Sequence, residues 1–176
     1  MRYDGYEFMT LNVSSLPISL KSNYIRQVSE DNFNRPWVVS NMGIDVINLR
    51  TMQKAAITSG SEEMDKLAGI NTQRVIKDQN GSIWILSVEK IYKIDFDKNG
   101  NIAKLITSEN KTGESPHSFT TINEIDNTVY VGSKGIIFTV SVSQKGSLSF
   151  KQLNEALDFG ENTFISSMMK KDNTLW

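Results

Sequence analysis

The chain alternates between short runs rich in β-branched and aromatic residues and clusters of turn formers. "IRQVSED" (25–31), "TQRVIKD" (72–78), "KIYKIDF" (90–96), "GIIFTVSV" (135–142), "NIAKLIT" (101–107) and "SLSFKQL" (147–153) are of strand length, and they mix apolar with polar positions as half-buried strands do. Between such runs, "QNGS" offers Asn80 and Gly81 for positive backbone angles, "KNGN" offers Asn99 and Gly100, and "IDNT" offers Asp126 and Asn127. The expectation is antiparallel strands joined by tight turns. Two stretches break the pattern. Residues 58–69, "TSGSEEMDKLAG", predict one or two helical turns, with Ser59 or Ser61 as cap and Glu62 and Glu63 near the positive end. Residues 151–162 predict a brief turn after a strand.

The pattern repeats. "EDNFNRPWVVSNMGIDVINL" begins at Glu30, "KDQNGSIWILSVEKIYKIDF" at Lys77, "NEIDNTVYVGSKGIIFTVSV" at Asn123 and "KKDNTLW" at Lys170. Their aromatic anchors Trp37, Trp84, Tyr130 and Trp176 are 47, 46 and 46 residues apart, and an apolar residue follows six or seven positions later as Ile44, Ile91 and Ile136. A four-stranded sheet of this size cannot bury both faces alone, whereas radial stacking of such sheets can, which is the physical basis of a β-propeller blade. The predicted fold is therefore all-β, built of propeller blades of four antiparallel strands. Approximate units fall at 24–70, 71–117 and 118–162, with incomplete blades at 1–23 and 163–176. That is nearly four blades' worth of strands and is expected to be a fragment of a larger propeller. The anchors are expected to fill the space between neighbouring blades.

The unit "VIKDQNGSIWILSVEKIYKIDFDKNG" resembles the regulator-type propeller repeat in the periplasmic sensor region of Bacteroides-type hybrid two-component systems. The pattern is met by Asp78, Asn80, Gly81, Trp84, Ile91 and Asp95, and in part by Asp31, Asn34, Trp37, Gly43 and Ile44 and by Asp126, Asn127, Gly132, Gly135 and Ile136. Arg35 and Pro36 replace the glycine-containing turn of the first unit, Tyr130 replaces tryptophan, and 88–90 lack the usual glycine. The resemblance implies the periplasmic part of an inner-membrane protein that senses glycans or oligosaccharides and controls polysaccharide-utilisation genes. It also implies adjacent propeller and immunoglobulin-like modules and a histidine kinase elsewhere in the full-length protein. None of those modules is visible in these 176 residues.

Composition narrows the chemistry. With 19 basic and 20 acidic residues and no long run of either sign, direct nucleic-acid binding by this segment is not expected. The absence of cysteine excludes thiol catalysis, disulfides and thiolate-bound zinc. The opening "MRYDGYEFMTLNV" lacks the apolar core of a signal peptide, and no window approaches a membrane span. Asp95, Asp97 and Asn99 fall at calcium-loop positions one, three and five, but position twelve is Ile106 where a bidentate glutamate is required. His117 is the single histidine and has no partner ligand at metal spacing. Asn12 and Asn110 match glycosylation spacing, which matters only in a glycosylating secretory system. No catalytic motif, cofactor or metal site is expected, and a lyase, a hydrolase or a protein-interaction scaffold stands as the alternative to the sensor.

A binding module needs only loops held by a rigid scaffold. Candidate segments are 40–43, 87–90 and 132–135 between second and third strands, with 107–117 and 154–162 between blades. Within them Asn41, Met42, Glu89, Lys134 and His117 are the candidate ligand contacts. The open edges of an incomplete ring also make a homodimer a candidate assembly.

Overall fold

The computed structural model describes residues 2–3, 5–55, 67, 69–87, 90–108, 119–133, 135–153, 164–172 and 174–175, with backbone alone for 2, 3, 174 and 175. β1 (Arg2–Tyr3) pairs with β2 (Phe8–Met9). Blade I follows as β3 (Ile25–Glu30), β4 (Pro36–Ser40), β5 (Gly43–Asn48) and β6 (Gln53–Lys54), and blade II as β7 (Thr72–Lys77), β8 (Ile83–Ser87), β9 (Ile91–Phe96) and β10 (Ile102–Thr107). Blade III is β11 (Thr121–Ile125), β12 (Thr128–Gly132), β13 (Ile137–Val142) and β14 (Leu148–Gln152). β15 (Lys170–Lys171) then pairs with β16 (Thr174–Leu175). Within each blade the order in the sheet is the order in the chain, and every pairing is antiparallel.

Strand alternation decides which blade each side chain meets. In β4, Trp37 and Val39 point toward blade II, where they pack with Val75, Ile83, Ile85 and Ile94, while Val38 points the other way onto Ile18 and Leu20. In β8, Ile83 and Ile85 face blade I, whereas Trp84 and Leu86 face Ile122, Val129 and Val131 of blade III. Tyr130 continues the series against Ile165 and Met168. The anchors with described side chains thus lie between successive sheets. Each fully buried side chain of this size contributes about 1.5–3 kcal/mol, so the blades are held to one another by apolar burial.

Polar stitches set the spacing of the inner strands. The Gln27 carboxamide accepts from the Val75 amide at 3.0 Å and donates to the Val75 carbonyl at 2.6 Å. Asn123 Nδ2 donates to the Met168 carbonyl at 2.7 Å, and Thr120 Oγ1 to that of Ile165 at 2.6 Å. Side chains here satisfy backbone groups that an inner edge strand would otherwise leave unpaired.

The turns differ from expectation in an informative way. Gly81 (φ 82°) and Gly100 (φ 81°) take positive angles, but Asn80 and Asn99 do not. In both loops the amide of that asparagine is bound instead by the aspartate two residues earlier, Asp78 Oδ1 at 3.0 Å and Asp97 Oδ1 at 2.8 Å. These are five-residue loops, 78–82 and 97–101, closed by Asp78 N to Ser82 O and Asp97 N to Asn101 O. The loop 31–35 has the same closure, with Asn34 (φ 55°) in the place of glycine. At "IDNT" the expectation of two positive angles holds, at Asp126 (φ 49°) and Asn127 (φ 62°), making a two-residue hairpin turn. This turn accounts for the shorter repeat: Val28, Val75 and Ile122 are equivalent inner-strand positions 47 apart, and the missing residue falls between Ile122 and Tyr130. Register also makes Ile137, opposite Gly132, the equivalent of Ile44 and Ile91, so Ile136 lies one position off. The helical turn expected at 58–69 falls outside the described residues except for Leu67 and Gly69, and the turn expected at 151–162 falls mostly outside them, Lys151 and Gln152 closing β14.

Asp78 holds a loop and a tryptophan together: Oδ1 accepts the amides of Asn80 and Ser82 (3.0 and 2.8 Å) and Oδ2 accepts the Trp84 indole N–H (2.8 Å). Replacing it with alanine removes three charge-assisted bonds and leaves buried donors unpaired, so Asp78→Ala is expected to cost about 3 kcal/mol in urea unfolding. Glu124→Ala, at the corresponding point ahead of Tyr130, is expected to cost less than about 1 kcal/mol in the same measurement.

Candidate functional site

The antiparallel order sorts the loops into two sets. One end of the strands carries 31–35, 78–82, 97–101, 126–127 and 143–147, and the other carries the turns between second and third strands and the links from blade to blade. The first end holds a groove of about 420 Å³ where the blade I loop reaches over the end of blade II, lined by Asn32, Phe33, Asn80, Gly81, Ser82, Lys93, Asp95 and Phe96.

Two aspartate loops build its walls. In blade I, Asp31 Oδ1 accepts the amides of Phe33 and Arg35 (2.9 and 3.1 Å), while Oδ2 accepts Trp37 Nε1 at 3.0 Å and Arg35 Nε at 2.7 Å. The loop is thereby fixed with Asn32 and Phe33 turned toward blade II. Arg35 locks the junction: its guanidinium carbon is 5.0 Å from the ring centres of both Phe33 and Phe96, and Nη1 donates to the Gly100 carbonyl at 2.8 Å. Phe33 and Phe96 meet edge to face at 5.7 Å. Gly81 and Gly100 make room for this contact. A Cβ on Gly81 would lie 2.1 Å from Asn32 Nδ2, and one on Gly100 would lie 2.9 Å from the Phe33 ring.

The floor comes from β9. Lys93 pairs with Asp95, both meet Ser82 Oγ, and the Lys93 ammonium sits 5.7 Å from the centre of the Trp84 ring. Burial alone would push the Asp95 carboxyl up, but the hydrogen bonds from Lys93 and Ser82 and the charges of Lys93 and Lys104 together hold it below its ordinary value. Asp97, one loop further on, is also lowered, chiefly by the Asn101 amide and side chain. The calcium-like stretch 95–102 is thus a hairpin loop whose aspartate is occupied by backbone amides.

Of the residues expected as ligand contacts, the described ones are Asn41 and Met42. Asn41 and Met42 are exposed on the β4–β5 turn, at the end of the strands opposite the groove, where the Ser40 hydroxyl accepts the Met42 amide at 3.2 Å. Glu89, Lys134 and His117 lie outside the described residues, as does Trp176. Ser87 and Ser133 occupy the position of Ser40 in blades II and III, all three buried, a repeat at 47 and 46 that the sequence carries openly. The groove was not legible by spacing, because its residues come from two blades. Among the described residues, no group of three or more acidic or histidine side chains is placed to hold a metal ion, and no helix is long and apolar enough to cross a membrane.

Sheets of this order, stacked face to face through recurring aromatic anchors, define the chain as a partial β-propeller. No protein-family model matches the sequence, and no curated protein matches it. Among solved structures it is similar to the extracellular domain of the hybrid two-component system BT3049 of Bacteroides thetaiotaomicron, at 15% identity over 88% of this chain and 20% of that one, with a TM-score of 0.63. It is similar also to the extracellular domain of BT4673 from the same organism, at 19% identity over 85% of this chain and 18% of that one, with a TM-score of 0.59. Virginiamycin B lyase of Staphylococcus aureus shares the fold at 15% identity over 87% of this chain and 48% of that one, with a TM-score of 0.55. The chain therefore spans about a fifth of the two-component-system domains it matches.

The groove's supporting contacts make two expectations. Gly100→Ala forces an L-residue into a left-handed angle and drives a methyl against Phe33, so it is expected to lower stability by about 1–2 kcal/mol or more, read by urea unfolding. The lowered Asp95 value means that its contribution is complete above the unfolded-state value and is lost as pH falls through the folded one. Asp95→Asn is accordingly expected to flatten the loss of thermal stability below about pH 4, measured by Tm against pH.

Proposed function

We propose that this chain is part of the extracytoplasmic sensor region of a hybrid two-component signalling protein, the periplasmic portion of an inner-membrane protein, and that the signal is a glycan or oligosaccharide. The observation that carries the reading is the likeness of its blades, over more than four-fifths of the chain, to extracellular domains of two such systems. The Asp, Asn-Gly and Trp repeat of the middle unit supports it independently. In this reading the propeller binds or relays, while the histidine kinase and the control of polysaccharide-utilisation genes belong to the rest of the protein.

The packing supports a partner for blade I. Val28 is 61% exposed, whereas its equivalents Val75 and Ile122 are fully buried against the sheet before them. A neighbouring propeller module, or a second copy of this chain, would cover that position as blades I and II cover Val75 and Ile122.

The test is a glycan array probed with the folded 176-residue chain, followed by calorimetric titration of any hit. Saturable binding of an oligosaccharide that is recovered unchanged is the expected result. Binding to no glycan, or recovery of a cleaved product, would overturn the reading.

A further inference from the structure

The groove where the blade I loop reaches over the end of blade II holds hydrogen-bonding capacity that the described residues do not use. Among the described residues, Ser82 and Lys93 both bond the Asp95 carboxylate through Oδ1, and Oδ2 has no partner. The Asn80 side chain makes no hydrogen bond among the described residues, while Asp78 binds its backbone amide. The Asn32 carboxamide likewise makes no hydrogen bond among the described residues, and it sits in the space that a side chain on Gly81 would take. Asp95, Asn80 and Asn32 therefore line the same 420 Å³ space, beside the partly exposed Phe33 and Phe96.

Charge and shape select the occupant. Lys93 and Asp95 neutralise each other, so the groove offers no net charge to an ionic ligand. Its acceptors and carboxamides match hydroxyl groups, and its aromatic walls match the C–H face of a ring. The volume suits one or two such rings. Nor is the groove a by-product of the repeat. At the junction of blades II and III, register puts Thr139, Ser141 and Val142 in the places of Lys93, Asp95 and Phe96. There the loop is cut to Asp126 and Asn127, and the Gln79 amide is taken by Glu124 Oε1 at 3.1 Å.

We propose that this groove is a binding site for an uncharged, hydroxyl-rich ring of the neutral-sugar class. It rests on the sensor reading for the source of that ligand, and it places contact at the end of the strands opposite Asn41 and Met42. Asn80 and Asn32 donate to and accept from hydroxyls, Asp95 Oδ2 accepts one, and Phe33 supports the ring.

The experiment is amide chemical-shift mapping of the 176-residue chain titrated with maltose, with cellobiose and, as a charged control, with glucuronate. At least one neutral disaccharide is expected to move the amides of 32–33, 80–82 and 93–96. Asn80→Ala is expected to weaken that binding about tenfold, the scale of one lost hydrogen bond. Its Tm should be unchanged, because the loop is held through the Asn80 backbone. Asn32→Ala serves as the second variant. Shifts centred on 40–43 or 135–136 would overturn the groove and leave the sensor reading standing. Shifts with glucuronate alone would overturn the neutral ligand class. Silence from all three sugars would overturn the site, while the glycan array judges the sensor reading separately.

Discussion

A carboxylate buried under a hairpin is costly unless its oxygens are filled, and here the filling organises the blade. Asp31 and Asp78 each spend one oxygen on two amides of their own loop and the other on the indole of the tryptophan six residues on. The first set of bonds fixes the turn. The second fixes the ring that closes the gap to the next sheet. Local turn chemistry and blade-to-blade packing are therefore coupled through single side chains, and a fault in the turn is felt in the core.

The same economy shapes the groove. Because Asp31 and Asp78 satisfy the loop backbones from below, the side chains of Asn32, Phe33 and Asn80 are released toward the space between blades. Arg35 then ties the blade I loop to blade II through two aromatic faces and the Gly100 carbonyl. A binding surface made this way is pre-organised, since its walls belong to the structural joint itself.

Much of this fold was legible in the sequence, for physical reasons. Strand alternation, turn formers and an aromatic at a fixed interval are local signals, and they located the strands on either side of Trp37, Trp84 and Tyr130. The clamp leaves a trace in the repeat: an aspartate stands six residues before Trp37 and Trp84, but glutamate stands there before Tyr130, which has no indole N–H to offer. Asn-Gly was legible as a turn but not as its type, because Asp78 and Asp97 convert it to a five-residue loop. Pro36 and Arg35 hid the equivalent loop in blade I, where Asn34 takes the strained angle. The groove was out of reach altogether. Asn32, Asn80 and Asp95 come together only through the stacking of two sheets, a relation that no spacing along one strand encodes.

Blade III has given up the clamp. Its two-residue turn needs no buried aspartate, and Tyr130 packs without a bond of the kind that anchors Trp37 and Trp84. The two junctions are consequently graded: blades I and II are tied by Arg35 and Gln27 as well as by apolar contact, and blade III is held to blade II by apolar contact and by the reach of Glu124 to Gln79. Among the described residues, the seam between II and III carries fewer polar ties than the seam between I and II. An opening at that seam would leave the Arg35 joint and the 78–82 loop in place.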